Sequence, residues 1–220
     1  MFETGWNILN FLTQGLGTTL SIFLTATVFS FLMAFIAGLT RLSGNILIRG
    51  AAAVYVEVFR GTSLIVQLFW LYYAVPMLFN INLGSNWWVG VVAIALNYGA
   101  YMSEVVRTSV ISVDKGQTEA SIALNLSRFQ RMRDVILPQA LRLMLPEFGN
   151  YSIQILKGTA LVSLIGLTDI LYFGDIYRST NLSEGPLAYL MVLIMYFIIA
   201  LPLIWLSKKG EKIARRGVAS

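Results

Sequence analysis

"LMLPEFGNYSIQILKGTALVSLIGLT", residues 143–168, is apolar and long enough to cross a bilayer, yet it carries Glu147 and Lys157. A transmembrane helix needs about 20 residues to cover roughly 30 Å of hydrocarbon, and a charge at its centre costs roughly 2.5–3.5 kcal/mol on insertion scales. Whether this stretch spans decides how many crossings the chain makes and on which side its basic loops fall.

On either side of it the spans are easier to read. Residues 15–41 open with an uncharged run, "GLGTTLSIFLTATVFSFLMAFIAGLT", and form the first span. Residues 61–103 carry no charge, but "FNINLGSNWW" at 79–88 has the Asn, Gly, Ser and Trp of an interfacial turn, so two spans are expected, at 54–78 and 87–112. Residues 186–207 form the last span and run into "KKGEKIARR".

With 143–168 included there are five spans, and 13 of the 16 Lys and Arg fall on one side. They are Arg41 and Arg49, then Arg107, Lys115, Arg128, Arg131, Arg133 and Arg142, then Lys208, Lys209, Lys212, Arg215 and Arg216. Without it, the C-terminal basic cluster would change sides. The positive-inside rule therefore predicts an all-α integral membrane protein with five transmembrane helices, its N-terminus outside and its C-terminus in the cytoplasm.

Composition agrees. The 220 residues are 57% hydrophobic and 12% charged, where a soluble domain has about 25% charged residues. No Cys or His is present, which excludes disulfides, thiol and imidazole chemistry and the commonest zinc sites. The net charge of +5 follows from topology and lipid headgroups, so nucleic-acid binding is not needed to explain it. The N-terminal "MFETGWNILNFLTQG" has an acid where a signal peptide needs a base, and is expected to be retained. No internal repeat or low-complexity segment appears, so residues 1–220 are expected to form one membrane domain.

One cytoplasmic loop, 113–140, stands apart as basic and strongly patterned. Thr118 is placed to cap a short helix with Glu119 in its first turn, and Ala120, Ala123 and Leu124 then share one face at i, i+3, i+4. Their small side chains let another backbone approach. Asn125 tolerates the left-handed conformation that closes a helix, and Ser127 with Gln130 forms a capping-box pattern for a second one, whose extension Pro138 disfavours. On physics alone, an amphipathic helix lying on lipid, with Arg128, Arg131 and Arg133 at the headgroups, accounts for the segment equally well.

"GQTEASIALNLSRFQRMRDVILPQALRLMLP" (116–146) resembles the EAA loop of ABC importer permeases of the polar amino acid uptake (histidine, glutamine and arginine type) family. Glu119-Ala120-Ser121 matches its Glu-Ala-Ala, and Pro138 with Ala140 matches its downstream element. "YVEVFRGTSLIVQLFWLYYAVP" (55–76), "LNYGAYMSEVVRTSVISVDKGQTEA" (96–120) and "LKGTALVSLIGLTDIL" (156–171) are similar to further signature stretches in the same order.

The resemblance implies a fold of the MetI-like ABC type I importer permease and a place in the bacterial cytoplasmic membrane. It implies that the loop is a coupling helix seated in a groove of a cytoplasmic ABC ATPase dimer, which would bind the ATP and Mg. No cofactor is expected in this chain, and it holds no phosphate-cradling Gly-x-x-x-x-Gly-Lys motif. Further partners implied are a second permease subunit, identical or homologous, and an extracytoplasmic solute-binding protein docking on 79–88 and 169–185. The coupling residues would be Gln117, Glu119, Ala120 and Ser121, with Ala123, Leu124 and Asn125 behind them. Family members usually have Ala at 121 and Gly at 125.

For the path, the expected residues are Asn97, Tyr98 and Glu104 on span three and Tyr151, Gln154, Lys157 and Gly158 on span four. Glu57 with Arg60, and Glu104 with Arg107, are spaced i, i+3 and read as structural pairs or as a cytoplasmic gate. Lys157 reads either as a snorkelling lysine or as part of a water-filled path. Relatives that carry basic amino acids tend to have acids where Tyr151 and Gly158 stand here. The expected cargo is therefore a neutral or acidic amino acid, or an amino-acid-like zwitterion such as ectoine. An ion-coupled secondary transporter is the competing class, and would need inverted repeats, broken spans and intramembrane carboxylates.

Overall fold

The structure, a computed structural model, describes residues 2–81 and 84–215; Asn82 and Leu83 of the expected interfacial turn and Arg216 of the basic tail lie outside the described residues. Every regular element among the described residues is helical. Helix α1 (Phe2–Leu12) leads through a 3-10 turn into α2 (Leu16–Thr40). Residues 15–41 predict only the second of these. Helix α1 is amphipathic and is ordered by packing: Ile8 and Leu12 are fully buried against Ile170, Ala188 and Val192, residues far away in sequence.

The centre of the molecule is α6 (Asn86–Ile111), which packs along α2. Helix α2 turns Ala26, Ser30, Ala34, Ala37 and Gly38 inward and leaves Leu24, Val28, Leu32 and Ile36 exposed, an apolar stripe suited to lipid. Small residues at the seam allow close approach, the usual solution where lipid tails remove any hydrophobic preference for protein. A Cβ on Gly38 would come within 2.7 Å of the Ser103 carbonyl oxygen.

The second span, predicted as one helix over 54–78, is broken. Helix α3 (Ile46–Gly61) and the run beginning with α4 (Leu64–Phe69) and ending with α5 (Val75–Phe79) meet at 107°. Thr62 and Ser63 are extended at the corner, which leaves the last carbonyls of α3 without helical partners. Buried side chains satisfy them. The Gln67 amide donates to the oxygens of Phe59 (2.9 Å) and Thr62 (3.2 Å), and Asn97 donates to Phe59 (3.1 Å) and to Gln67 Oε1 (3.0 Å). The Tyr101 hydroxyl donates to the Arg60 carbonyl at 3.0 Å.

The cytoplasmic loop of the sequence reading contains α7 (Lys115–Ala123) and α8 (Arg128–Gln130). The cap of α7 is Asp114, whose carboxylate accepts from the Gly116 amide at 2.6 Å, one turn ahead of the Thr118 expected from the pattern. Asn125 is left-handed (φ 54°) and the Ser127–Gln130 capping box is made in both directions, as expected. Pro138 does not stop the second helix. A π-helical segment over 131–136 widens the turns ahead of it, and the chain continues into α9 (Leu137–Gly158). Proline lacks an N–H and its ring collides with the carbonyl four residues back, and a wide turn relieves both. A second π segment, 70–74, stands in the same relation to Pro76.

Beyond α9 a 3-10 stretch reaches Ile165, Gly166 turns with φ 79°, and α10 (Ile170–Thr180) leaves at 52°. Asp169 caps α10 from a fully buried position and accepts from the Tyr196 hydroxyl at 3.1 Å. Helix α11 (Gly185–Arg215) carries the basic tail as continuous helix past the predicted end at 207. Among the described residues, three helices are long and apolar enough to cross a membrane, or up to five if each bent pair counts as one span.

Candidate functional site: a coupling surface and a polar path

Helix α7 packs on the π segment 131–136 and leaves its other side open. Gln117, Glu119, Ala120, Ala123, Leu124 and Asn125 are exposed. Ser121 is not: it is 2% exposed, and its hydroxyl donates to the Thr118 carbonyl at 2.7 Å. Serine costs nothing there, because the hydroxyl closes on its own helix. The α7 end is locked by the left-handed Asn125 and by the Leu126 amide donating to the Ser121 carbonyl at 3.0 Å, the bond that ends a helix over an αL residue. Gln139 donates to Gln117 at 3.2 Å and so ties the start of α7 to α9. Two further exposed apolar residues, Ile122 and Phe129, flank this surface, and the sequence reading missed both. Their signal was present: apolar side chains among arginines, which no internal core claims.

The second feature lies on α9. Met144, Phe148, Ile155 and Leu156 face the core, while Glu147, Gln154 and Lys157 are exposed and Tyr151 is partly so. These four recur at helical spacing and make one polar stripe. Hydrocarbon is a costly place for a carboxylate, an amide and an ammonium together, so this face belongs against water or protein.

Helix α6 supplies the neighbouring wall. The Tyr98 hydroxyl donates to the Gln154 carbonyl at 3.0 Å, and the Tyr101 and Tyr151 rings lie 6.3 Å apart. Gly158 is buried beneath Tyr98, and a Cβ there would sit 3.0 Å from the tyrosine ring. Asn97, expected on the path, is elsewhere: it is buried at the helix break, one residue round from Tyr98.

Glu104 is the hub of a larger cluster than the expected pair. It is bonded to Arg107 one turn on and to Arg41 at the end of α2, with Arg60 at 3.9 Å. Glu57 is exposed and makes no ion pair among the described residues; the arginine expected to pair with it turns to Glu104 instead. Arg41 could not be found from helical spacing, because 63 residues separate it from its partner.

A sequence family described as binding-protein-dependent transport system inner membrane component matches residues 26–209. This chain belongs to that family. A probable amino-acid ABC transporter permease of Sinorhizobium fredii is 40% identical over 93% of this chain and 87% of its own. The glutamine transport system permease of Escherichia coli is 35% identical over 94% of each. Among solved structures, a crystal structure of an amino acid ABC transporter with histidines superposes with a TM-score of 0.86 at 34% identity, covering 98% of both chains. The family description makes the chain an inner membrane component of a transport system that depends on a binding protein. The exposed side of α7 is a surface available to a partner, and the α9 stripe a surface available to a solute.

Proposed function

We propose that this chain is the permease subunit of an ATP-driven importer that carries a polar amino acid, or an amino-acid-like zwitterion such as ectoine, into the cell by alternating access. The observation that carries this is the α9 stripe of Glu147, Tyr151, Gln154 and Lys157, walled by Tyr98 and Tyr101 and open on the side away from the core. Such a surface is half of a path, and a second permease subunit, identical or homologous, completes it. Five spans with the N-terminus outside put α7 in the cytoplasm. There Glu119, Ala120, Ala123 and Leu124 dock on the ATPase dimer that binds ATP and Mg, and the outer segments receive the solute-binding protein.

A non-cationic cargo is favoured by Gly158. A carboxylate at that position would select basic solutes, but the space it needs is filled by the Tyr98 ring. The relative named for glutamine agrees with this class.

The test is uptake into liposomes holding the complete complex. Import of glutamine, glutamate or ectoine is expected to follow ATP inside the liposome and to survive dissipation of ion gradients; arginine as the preferred cargo would refute the substrate class. Glu119→Lys with Ala120→Trp is expected to abolish uptake in a complex that still inserts. Normal uptake by that variant would remove the docking role from α7.

A further inference from the structure

We propose that Arg60, seated over Tyr101 at the inner end of the polar stripe, binds the carboxylate of the transported solute. The proposal rests on the importer reading above and assigns a second contact point along its path.

The argument begins with the oxygens of Glu104. Oε1 accepts from Arg107 through Nε at 3.1 Å and through Nη2, and Oε2 accepts from Arg41. Both oxygens are thus engaged by two guanidinium groups. Arg60 is third in line. Its Nη1 stands 3.9 Å from Oε2, outside hydrogen-bond length, and none of its guanidinium donors has a hydrogen-bond partner among the described residues. It is also the most open of the three arginines, with 41% of its side chain exposed against 17% for Arg41 and 29% for Arg107. Three guanidinium charges around one carboxylate leave the cluster two charges positive, and one of the two surplus charges is on the accessible member.

Position makes that surplus useful. Arg60 is in the last turn of α3, where its own carbonyl is held by the Tyr101 hydroxyl, and its guanidinium lies 5.5 Å from the Tyr101 ring centroid. That ring lies 6.3 Å from the Tyr151 ring on the stripe. An arginine held by its backbone and by a ring face, 3.9 Å from the nearest carboxylate oxygen and with its planar fork free of hydrogen bonds among the described residues, is pre-organised for bidentate carboxylate binding. Glutamine, glutamate and ectoine share a carboxylate, so the site serves any of them. Glu147, on the same face, offers the opposite charge to the cationic end of a zwitterion.

The absence of cysteine from the chain gives the experiment. In liposomes holding the full complex, uptake of radiolabelled glutamine, glutamate and ectoine is compared for the wild type, R60K and R60C. R60C is expected to lower uptake by about tenfold, the scale of one charge-assisted hydrogen bond. A thiol reagent that adds an ammonium group should recover much of the loss, and one that adds a sulfonate should recover none. R60K should fall between wild type and R60C. Labelling of R60C should slow several-fold while loaded binding protein and ATP are present. Wild-type uptake by R60C overturns the proposal, as does a loss that the ammonium reagent cannot restore with labelling indifferent to solute, since Arg60 would then only support Glu104. A wild-type complex that imports none of the three solutes would sink the substrate class on which the site rests. Robust wild-type import beside an indifferent R60C sinks the carboxylate site alone.

Discussion

Two polar clusters sit on neighbouring faces of α6 and differ in how completely they are bonded. At the helix break, Asn97 and Gln67 are buried, and their amides cover the Phe59 and Thr62 carbonyls and each other. A few residues away, Gln154 and Lys157 are exposed, and the guanidinium of Arg60 has no hydrogen-bond partner among the described residues. The amide donors of the first cluster are spent inside the protein; the second cluster has donors in reserve. In a membrane protein this separates scaffold from path, because a polar side chain at depth either satisfies the backbone or faces something that moves.

The contrast breaks most visibly at the first cluster. Asn97→Leu removes a donor from the Phe59 carbonyl and leaves Gln67 Oε1 unpaired in a buried site, which costs about 2 kcal/mol. Gln67→Leu should cost at least as much, since three acceptors lose their donor. The double variant should cost less than the sum of the two, because the shared bond is counted twice. Thermal unfolding of the complex in detergent measures this. Gln154→Leu, by contrast, should leave unfolding nearly unchanged and lower uptake. If Gln154→Leu destabilised as much as Asn97→Leu, the division between scaffold and path would fail.

Next in size is the hub between them. Glu104→Gln keeps the shape but removes the charge that Arg41 and Arg107 share, and leaves three guanidinium groups crowded. Breaking a buried pair costs about 3–5 kcal/mol, and partial exposure here brings the expectation to about 1–2 kcal/mol. Raising the salt concentration should recover part of the loss, since added ions screen the repulsion among exposed charges. No salt dependence would mean that the cluster acts through packing.

These effects follow the line between what could and could not be read from the sequence. The Asn125 turn and the Ser127–Gln130 box were legible because each is settled within four residues by local chemistry. The apolar runs of α2 and α11 were legible because length and hydropathy alone decide them. The break at Thr62 was not, since Gly61-Thr62-Ser63 in a charge-free run also suits a continuing span, and one of its two donors, Asn97, lies 38 residues beyond Phe59. For the same reason Asn97 was placed on the path: an Asn within a span announces a polar need, and only the partner tells which. Arg41 and α1 were hidden by larger separations still, since Arg41 meets Glu104 across 63 residues and Ile8 packs with Ile170. Pro138 misled in the other direction, because a π segment lets a helix pass a proline that local rules would have end it.

The smallest effect sharpens the comparison most. Gly158→Ala places a methyl 3.0 Å from the Tyr98 ring and hydroxyl, so the ring must give by a few tenths of an ångström and its bond to the Gln154 carbonyl weakens. Losing such a bond costs about 1 kcal/mol, while replacing Gly by Ala within a helix returns about 0.5–1 kcal/mol. Gly158 is the last residue of α9, where that return is smaller, so net stability should change by less than about 1 kcal/mol. Transport should not be so indifferent, because Tyr98 walls the proposed path. The expected outcome is an unfolding curve close to the wild type with altered relative uptake of glutamine and glutamate. An unchanged selectivity would return Tyr98 and Gly158 to the scaffold and leave the path to α9 and Arg60 alone.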